Sequence, residues 1–302
     1  MALIQGVHAA LVTPRRPDLN QVDLGAALEL VDFVSRGGVD GIVLSGSTGE
    51  FPHFEVEDRL HLAQFAIRRS RVPVTVNVSH SSLDGALALA RGASSFGAAA
   101  LLLMPPYFFR YTQDDIEAFY RRFAREAGRE TPVLLYNVPA FTGELQFETT
   151  MNLLATGAFA GIKDSSGKLD GFRRMMPVKK QAPFTLLIGQ DQIYAEARAE
   201  GADGVVSGVA GVIPELLVGL EGAIRTGAGE KRNRLEARLH EFIAWIERFP
   251  FPQALKEALT VRGLKAGPPC LPAGEGTRLR LGEFREWFQG WLPGVLKEAA
   301  GG

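Results

Sequence analysis

Phe159-Ala160-Gly161-Ile162-Lys163-Asp164-Ser165-Ser166-Gly167 is a short apolar run that ends in a lysine and breaks into a Ser/Gly turn. It belongs to a series. Short apolar runs at residues 7–12, 41–44, 72–78, 98–104, 132–138, 159–163, 184–188 and 204–206 alternate with amphipathic stretches such as 23–35, 56–69, 112–127 and 214–226. Runs of that length with Gly or Pro at the junctions read as strands, and the stretches between them carry helical periodicity. Repeated strand–helix units build a parallel sheet. Eight of them predict an α/β fold of the closed (β/α)8 type. An open doubly wound sheet is the alternative, but it normally carries a glycine-rich fingerprint after its first strand. Here that turn is Thr13-Pro14-Arg15-Arg16-Pro17.

After residue 226 the pattern changes to helices alone, at 230–248, 253–261 and 281–297, with a Pro/Gly-rich passage at 265–276. We therefore expect residues 1–226 to form a barrel carrying the active site and residues 227–302 a C-terminal helical extension packed on it. The loops within the extension are expected at Gly267-Pro268-Pro269 and Pro272-Ala273-Gly274.

Composition narrows the function. With 33 basic and 34 acidic residues among 302, no global field recruits nucleic acid or an anionic membrane. Local basic groups such as Arg121, Arg122 and Arg125 read as solvated helix faces. The single cysteine, Cys270, excludes an internal disulfide and a thiolate metal cluster within one chain. The start, Met1-Ala2-Leu3-Ile4-Gln5-Gly6, lacks a basic leader segment, and no apolar run nears the roughly 18 residues a membrane span needs. These features lead us to expect a soluble cytoplasmic protein.

In a (β/α)8 barrel the chemistry sits at the carboxyl ends of the strands. Several ends are loaded here: Ser45-Gly46-Ser47-Thr48-Gly49-Glu50, Tyr136-Asn137-Val138-Pro139, Lys163, Gly189-Gln190-Asp191 and Ser207-Gly208. Tyr136 and Lys163 are 27 positions apart, about one strand–helix repeat, so they should stand at one height on neighbouring strands. Period two puts Gly161 on the same face as Lys163, where it would leave the lysine room. A long cationic side chain ending a buried strand loses hydration of its ammonium form, which favours the free amine, a nucleophile toward carbonyls. The plainer reading is a lysine that reaches solvent or pairs with Asp164. A phenol beside such an amine can move the protons of carbinolamine formation and water loss. The hydroxyls and backbone N–H groups of Ser47, Thr48 and Gly49, at a helix-opening turn, can receive a substrate carboxylate. The turn is not a P-loop, since the Gly-Lys-Ser/Thr ending is absent. His53, His61, His80 and Glu50 offer a metal-binding alternative. His53 and His61, eight apart, lie too far along a helix to share an ion. We expect no metal and no cofactor.

Taken together, Gly46-Ser47-Thr48-Gly49-Glu50, Tyr136-Asn137-Val138-Pro139 and Gly161-Ile162-Lys163-Asp164 resemble the dihydrodipicolinate synthase and N-acetylneuraminate lyase superfamily. The resemblance extends through residues 201–208 and the helical tail. It implies a homotetramer, a dimer of dimers, acting on pyruvate or another 2-oxo acid through a lysine Schiff base. Position by position, it implies Lys163 as the imine-forming residue, Tyr136 as the proton shuttle, Ser47 and Thr48 as carboxylate ligands with Ser47 also relaying protons, and the Val206 backbone beside the oxo acid. Two departures bear on the second substrate. Where the synthases carry an arginine for the semialdehyde carboxylate, this chain reads Pro139-Ala140-Phe141-Thr142-Gly143, and Phe141 becomes a substrate-binding position that cannot hold a carboxylate. The tyrosine that the synthases extend across their dimer interface aligns with Phe108, leaving Tyr107 or Tyr111 to fill that part. The stretch 139–143 looks more like the lyases and the aldolases that cleave 4-hydroxy-2-oxo acids or 2-oxo-3-deoxy sugar acids to pyruvate and an aldehyde, and Ser45-Gly46-Ser47-Thr48-Gly49-Glu50-Phe51 points the same way. The alternatives are a dihydrodipicolinate synthase, a sugar-acid dehydratase on the same scaffold, and a non-catalytic barrel that binds 2-oxo acids.

Overall fold

The computed structural model describes residues 4–17, 21–128 and 130–301. Met1, Ala2 and Leu3, part of the stretch used above to argue against a leader, lie outside the described residues. Eight parallel strands close into one barrel in chain order: β1 (Gly6–Ala10), β2 (Gly41–Leu44), β3 (Val74–Asn77), β4 (Ala100–Leu103), β5 (Val133–Asn137), β6 (Gly161–Asp164), β7 (Thr185–Ile188) and β8 (Gly204–Ser207), with β8 pairing β1. Eight helices return the chain between strands and after the last: α1 (Leu24–Arg36), α2 (Val56–Arg69), α3 (Leu83–Ser95), α4 (Gln113–Glu126), α5 (Phe147–Ala155), α6 (Leu169–Gln181), α7 (Tyr194–Ala199) and α8 (Pro214–Thr226). The (β/α)8 expectation is met at every strand.

Period two divides each strand between two cores. One face of the sheet fills the barrel lumen with Ala10, Val43, Leu102, Leu134, Leu187 and Val206. The other face packs on the helices through residues such as Val7, Ile42, Val76 and Leu135. The helices meet it with their own apolar stripe. In α1 the buried set is Ala26, Ala27, Leu30, Val31 and Val34, spaced three and four apart. Asp23 starts that helix by accepting a hydrogen bond from the Ala26 N–H at 3.0 Å. Full burial of a side chain such as Leu30 contributes roughly 1.5–3 kcal/mol.

Three further helices follow: α9 (Gly229–Ile246), α10 (Gln253–Val261) and α11 (Glu275–Ala300). They are tied by an aromatic cluster in which Phe242 of α9 lies 5.5 Å from Phe288 and 6.2 Å from Phe284 of α11. All three rings are fully buried, and truncating one to alanine would cost about 3–5 kcal/mol. The helix α11 begins at Glu275, six residues before the sequence pattern places it, because its first buried side chain is Phe284 and the opening turns carry no apolar stripe. Among the described residues no helix is long and apolar enough to cross a membrane.

Candidate active site

The ladder between β5 and β6 sets Tyr136 opposite Lys163 and Leu134 opposite Gly161. Both functional side chains point into the lumen, and both are buried. The Lys163 Nζ stands 4.0 Å from the centroid of the Tyr136 ring. Asp164, one residue on, points to the other face of the sheet, where it accepts hydrogen bonds from Asn137 Nδ2 at 2.8 Å, Ser166 Oγ at 2.9 Å and the Ser166 N–H at 3.1 Å. The lysine's geometry therefore follows from strand alternation, and the pairing with Asp164 does not occur.

One expectation about the neighbouring glycines is corrected. A Cβ on Gly161 would meet the Thr185 backbone oxygen at 2.0 Å, so this glycine serves the close approach of β6 to β7 and not the lysine. Room for Lys163 comes from Gly189, where a Cβ would lie 2.8 Å from Lys163 Cε and 1.9 Å from Ser165 Oγ.

The turn after β2 supplies the next groups. Ser47 Oγ and Tyr136 Oη are 3.1 Å apart and share a hydrogen bond. Burial pushes the Tyr136 phenol up, but the charge of Lys163 and the polar neighbours around the hydroxyl, Ser47 foremost, outweigh it and hold the phenol below its ordinary value. The turn itself is strained, since Ser45 and Glu50 have φ of 54° and 52° without being glycine. Each such residue costs on the order of 1–3 kcal/mol, which the surroundings must offset. Asn77 Nδ2 donates to the Ser45 carbonyl at 2.7 Å and is part of that support.

Two features of this turn differ from the sequence reading. The residues after it form a single 3-10 turn, Phe51–His53, and α2 begins only at Val56, so this turn does not itself open an α-helix. Gly49 does not line the cavity: its N–H is donated to the Gly46 carbonyl at 3.0 Å, and a Cβ there would meet Thr13 Oγ1 at 3.1 Å and the Leu11 carbonyl at 3.3 Å. Ser47 and Thr48 do line the cavity.

That cavity encloses about 280 Å³ above Lys163 and Tyr136. Val206 of β8 forms part of its floor and Phe141, 57 % exposed, part of its rim. The extension contributes a whole wall, Ile243, Ile246, Glu247, Phe249, Phe251 and Leu255. Lys163, Tyr136, Ser47 and Thr48 come from the barrel, and the extension packed on it closes one side of their cavity. Ser165, Gln190, Asp191 and Gln192 also line it. Asp191 was visible in the sequence as a loaded strand end but was not counted among the site residues. Its Oδ1 is buried without a hydrogen-bond partner. Burial pushes its carboxyl up to about 6 against the pull of the Ser207 hydroxyl, the Lys163 charge and the Val209 N–H.

The other residues weighed in the sequence lie at the margin or outside. Tyr107 packs edge-on to Phe51 with centroids 5.7 Å apart. Phe108, at φ 85°, is 88 % exposed. His80 Nδ1 accepts a hydrogen bond from the Ser82 N–H at 3.0 Å. His53 sits beside Phe51, Pro52 and Tyr107 in an adjoining cavity. Among the described residues, no three His, Cys, Asp or Glu side chains converge on a point that could hold a metal ion.

A sequence model of the dihydrodipicolinate synthetase family matches residues 3–284. A 4-hydroxy-tetrahydrodipicolinate synthase of Methanothrix thermoacetophila is 31% identical over 273 residues, covering 89% of this chain and 91% of its own. A probable 2-dehydro-3-deoxy-D-pentonate aldolase of Escherichia coli K12 is 32% identical over 258 residues, covering 83% of this chain and 85% of its own. Among solved structures, a prophage protein of the dihydrodipicolinic acid synthase family from Escherichia coli K12, in complex with pyruvate, superposes with a TM-score of 0.88 at 27% identity, over 96% of this chain and 99% of its own.

Proposed function

The chain belongs to the dihydrodipicolinate synthetase family, and on that premise we propose that it is a class I aldolase, a carbon–carbon lyase that reversibly cleaves a 4-hydroxy-2-oxo acid or 2-oxo-3-deoxy sugar acid to pyruvate and an aldehyde. The observation that carries the reading is the Lys163 amine 4.0 Å from the Tyr136 ring, whose phenol in turn shares a 3.1 Å hydrogen bond with Ser47. Binding alone would not call for an amine, a phenol and a hydroxyl in series. They are the groups an imine needs.

Ser47 and Thr48 receive the substrate carboxylate, with the Val206 backbone alongside the oxo acid. The free amine of Lys163 attacks the C2 carbonyl, Tyr136 gives its proton to the departing oxygen, and water leaves as the iminium forms. The iminium accepts the electron pair of the C3–C4 bond when the C4 hydroxyl loses its proton to the Tyr136 phenolate left by the first step. That step releases the aldehyde and leaves an enamine on Lys163. Protonation at C3 and hydrolysis then return pyruvate and the free lysine, with Ser47 carrying protons between Tyr136 and the bound acid. Burial strengthens each of these electrostatic contacts because little water competes.

The wall opposite Tyr136 supports a hydroxylated substrate. Asp191, Gln190 and Gln192 stand side by side in the lining and bring the polar groups that substrate hydroxyls need. Phe141 at the rim offers nothing to a second carboxylate. The Escherichia coli relative, a probable 2-dehydro-3-deoxy-D-pentonate aldolase, agrees with this choice. The synthase reading is favoured by the Methanothrix relative's name. We also propose a cytoplasmic homotetramer that uses no cofactor and engages neither membrane nor nucleic acid. The exposed Phe108 and Phe109, 5.0 Å apart, support burial of this rim in an assembly.

The test is intact mass after incubation with pyruvate and borohydride, wild type beside Lys163→Ala. A stable adduct on wild type alone is expected, and folded wild type without one would overturn the reading. Turnover of pyruvate with aspartate semialdehyde as fast as with any sugar-acid substrate would transfer the assignment to the synthase.

A further inference from the structure

The turn at residues 45–50 carries left-handed φ at both of its ends, on residues with side chains. Its first end is held within the barrel by Asn77. Its last residue, Glu50, is held by the extension. Glu50 Oε2 lies 2.5 Å from Lys256 Nζ of α10, an ionic contact without hydrogen-bond alignment, and both side chains are buried. Glu50 Oε1 accepts from the Cys270 N–H at 2.8 Å. The ammonium of Lys256 also donates to the Pro268 carbonyl at 2.9 Å and the Thr13 carbonyl at 3.3 Å. One cation therefore joins the turn after β2, the loop after β1 and the Pro/Gly-rich loop.

The neighbour of Lys256 on the same helix touches the site. A Cβ at Gly208 would lie 3.1 Å from Leu255 Cδ1 and 3.4 Å from Thr48 Oγ1, so Leu255 and Thr48 crowd one spot. The start of α10 thus meets the carboxylate-binding turn from the cavity through Leu255 and from beneath through Lys256. A buried carboxylate that lost its cation would be driven toward water. Glu50 could follow only by giving up its left-handed conformation, and the turn would relax with it.

We propose that Lys256 and Glu50 form a positioning pair through which the C-terminal helices hold Ser47 and Thr48 in the arrangement that receives the substrate carboxylate. Neither residue lines the cavity about Lys163. The proposal rests on the reading of that cavity as an imine-forming 2-oxo acid site, and the helical extension positions the turn rather than merely supporting the barrel.

The experiment compares borohydride trapping of two ketones on Lys163, pyruvate and acetone, the second lacking the carboxylate. Wild type, Lys256→Met and Glu50→Gln are followed by intact mass, with circular dichroism as the check on folding. A wild type that traps no pyruvate would defeat the underlying reading of the site before the variants are considered. With wild type active, the pair is supported if both variants trap acetone within about twofold of wild type while the pyruvate rate falls about tenfold or more, the change expected on losing a hydrogen bond to a charged group. Equal loss for the two ketones, or no loss for either, would overturn it. Glu50→Gln keeps an acceptor for the Cys270 N–H and leaves Lys256 its two carbonyls, so it decides the matter if Lys256→Met does not accumulate. Failure of both to fold would make the pair structural only and the proposal wrong.

Discussion

Replacing Asp191 with asparagine should make the protein more stable and a poorer catalyst, and the two effects have one cause. The carboxyl sits in the cavity wall with Oδ1 buried and unpartnered, and burial moves it up to about 6 from an ordinary 3.8. At about 1.4 kcal/mol per pH unit, holding that group ionised costs the fold about 3 kcal/mol at neutral pH. The folded state binds this proton more tightly than the unfolded chain does. Stability therefore falls as pH rises from 3.8 to about 6, and above that the whole cost stands. The neutral amide removes it. Asparagine brings an amide that must itself be buried, so the observed gain should be about 1–3 kcal/mol near pH 8 and only about 0.5 kcal/mol near pH 4, where the aspartate is already mostly protonated in the fold. Urea unfolding of wild type and Asp191→Asn at the two pH values measures the difference. A gain equal at both, or a loss near pH 8, would mean that the carboxylate is not held ionised against its surroundings. Activity should move the other way, with kcat/KM on a hydroxylated substrate falling about 10–100-fold as an ionised acceptor is lost.

Tyr136→Phe should fold and lose about 10²–10⁴-fold in turnover, the usual share of one general acid–base group; a steady-state rate equal to wild type would remove the phenol from the mechanism. Gly189→Ala places a methyl 2.8 Å from Lys163 Cε and 1.9 Å from Ser165 Oγ, both side-chain atoms that can shift. The variant should fold with slowed pyruvate trapping, and an unaltered trapping rate would show that the lysine does not need this space. Gly161→Ala sets its methyl 2.0 Å from a backbone oxygen of the adjoining strand, so loss of soluble protein or destabilisation by more than about 4 kcal/mol is expected; a melting temperature like that of wild type would contradict the close approach of β6 and β7.

What the sequence made legible is what period and local chemistry determine. The step from Tyr136 to Lys163 spans one strand–helix unit, and the β5–β6 ladder pairs those two residues directly. The strands from β1 to β8 fall within the apolar runs or a residue beyond them, because a buried parallel strand has little freedom to be anything else. Contacts between distant segments were not legible in the same way. Gly49 looked like a backbone donor for a carboxylate, yet its N–H closes a turn whose shape is set by Asn77 on β3 and by Glu50. Gly161 carried the right spacing for the wrong reason, since the atom it must avoid belongs to Thr185 on the next strand.

The same distinction explains why the wall contributed by the extension could not be read from the sequence. Periodicity finds α9 and α10 but says nothing about which barrel loops they meet. In the fold, Gln192 of the loop after β7 donates to Glu247 beside α9 at 2.5 Å, and Glu50 meets Lys256 across 206 positions of sequence. Lys256 reads as a surface cation on a helix, and Glu50 as the first acidic residue of the next one. Each is buried only because the other is there to neutralise it, a condition that a window along the chain cannot contain. The imine chemistry can be read from residues on the strands, while the shape of the pocket that selects the substrate depends on pairs like these. A sequence that keeps Lys163 and Tyr136 but alters Lys256, Glu50 or Phe141 should therefore keep its lysine nucleophile and change which oxo acid it accepts.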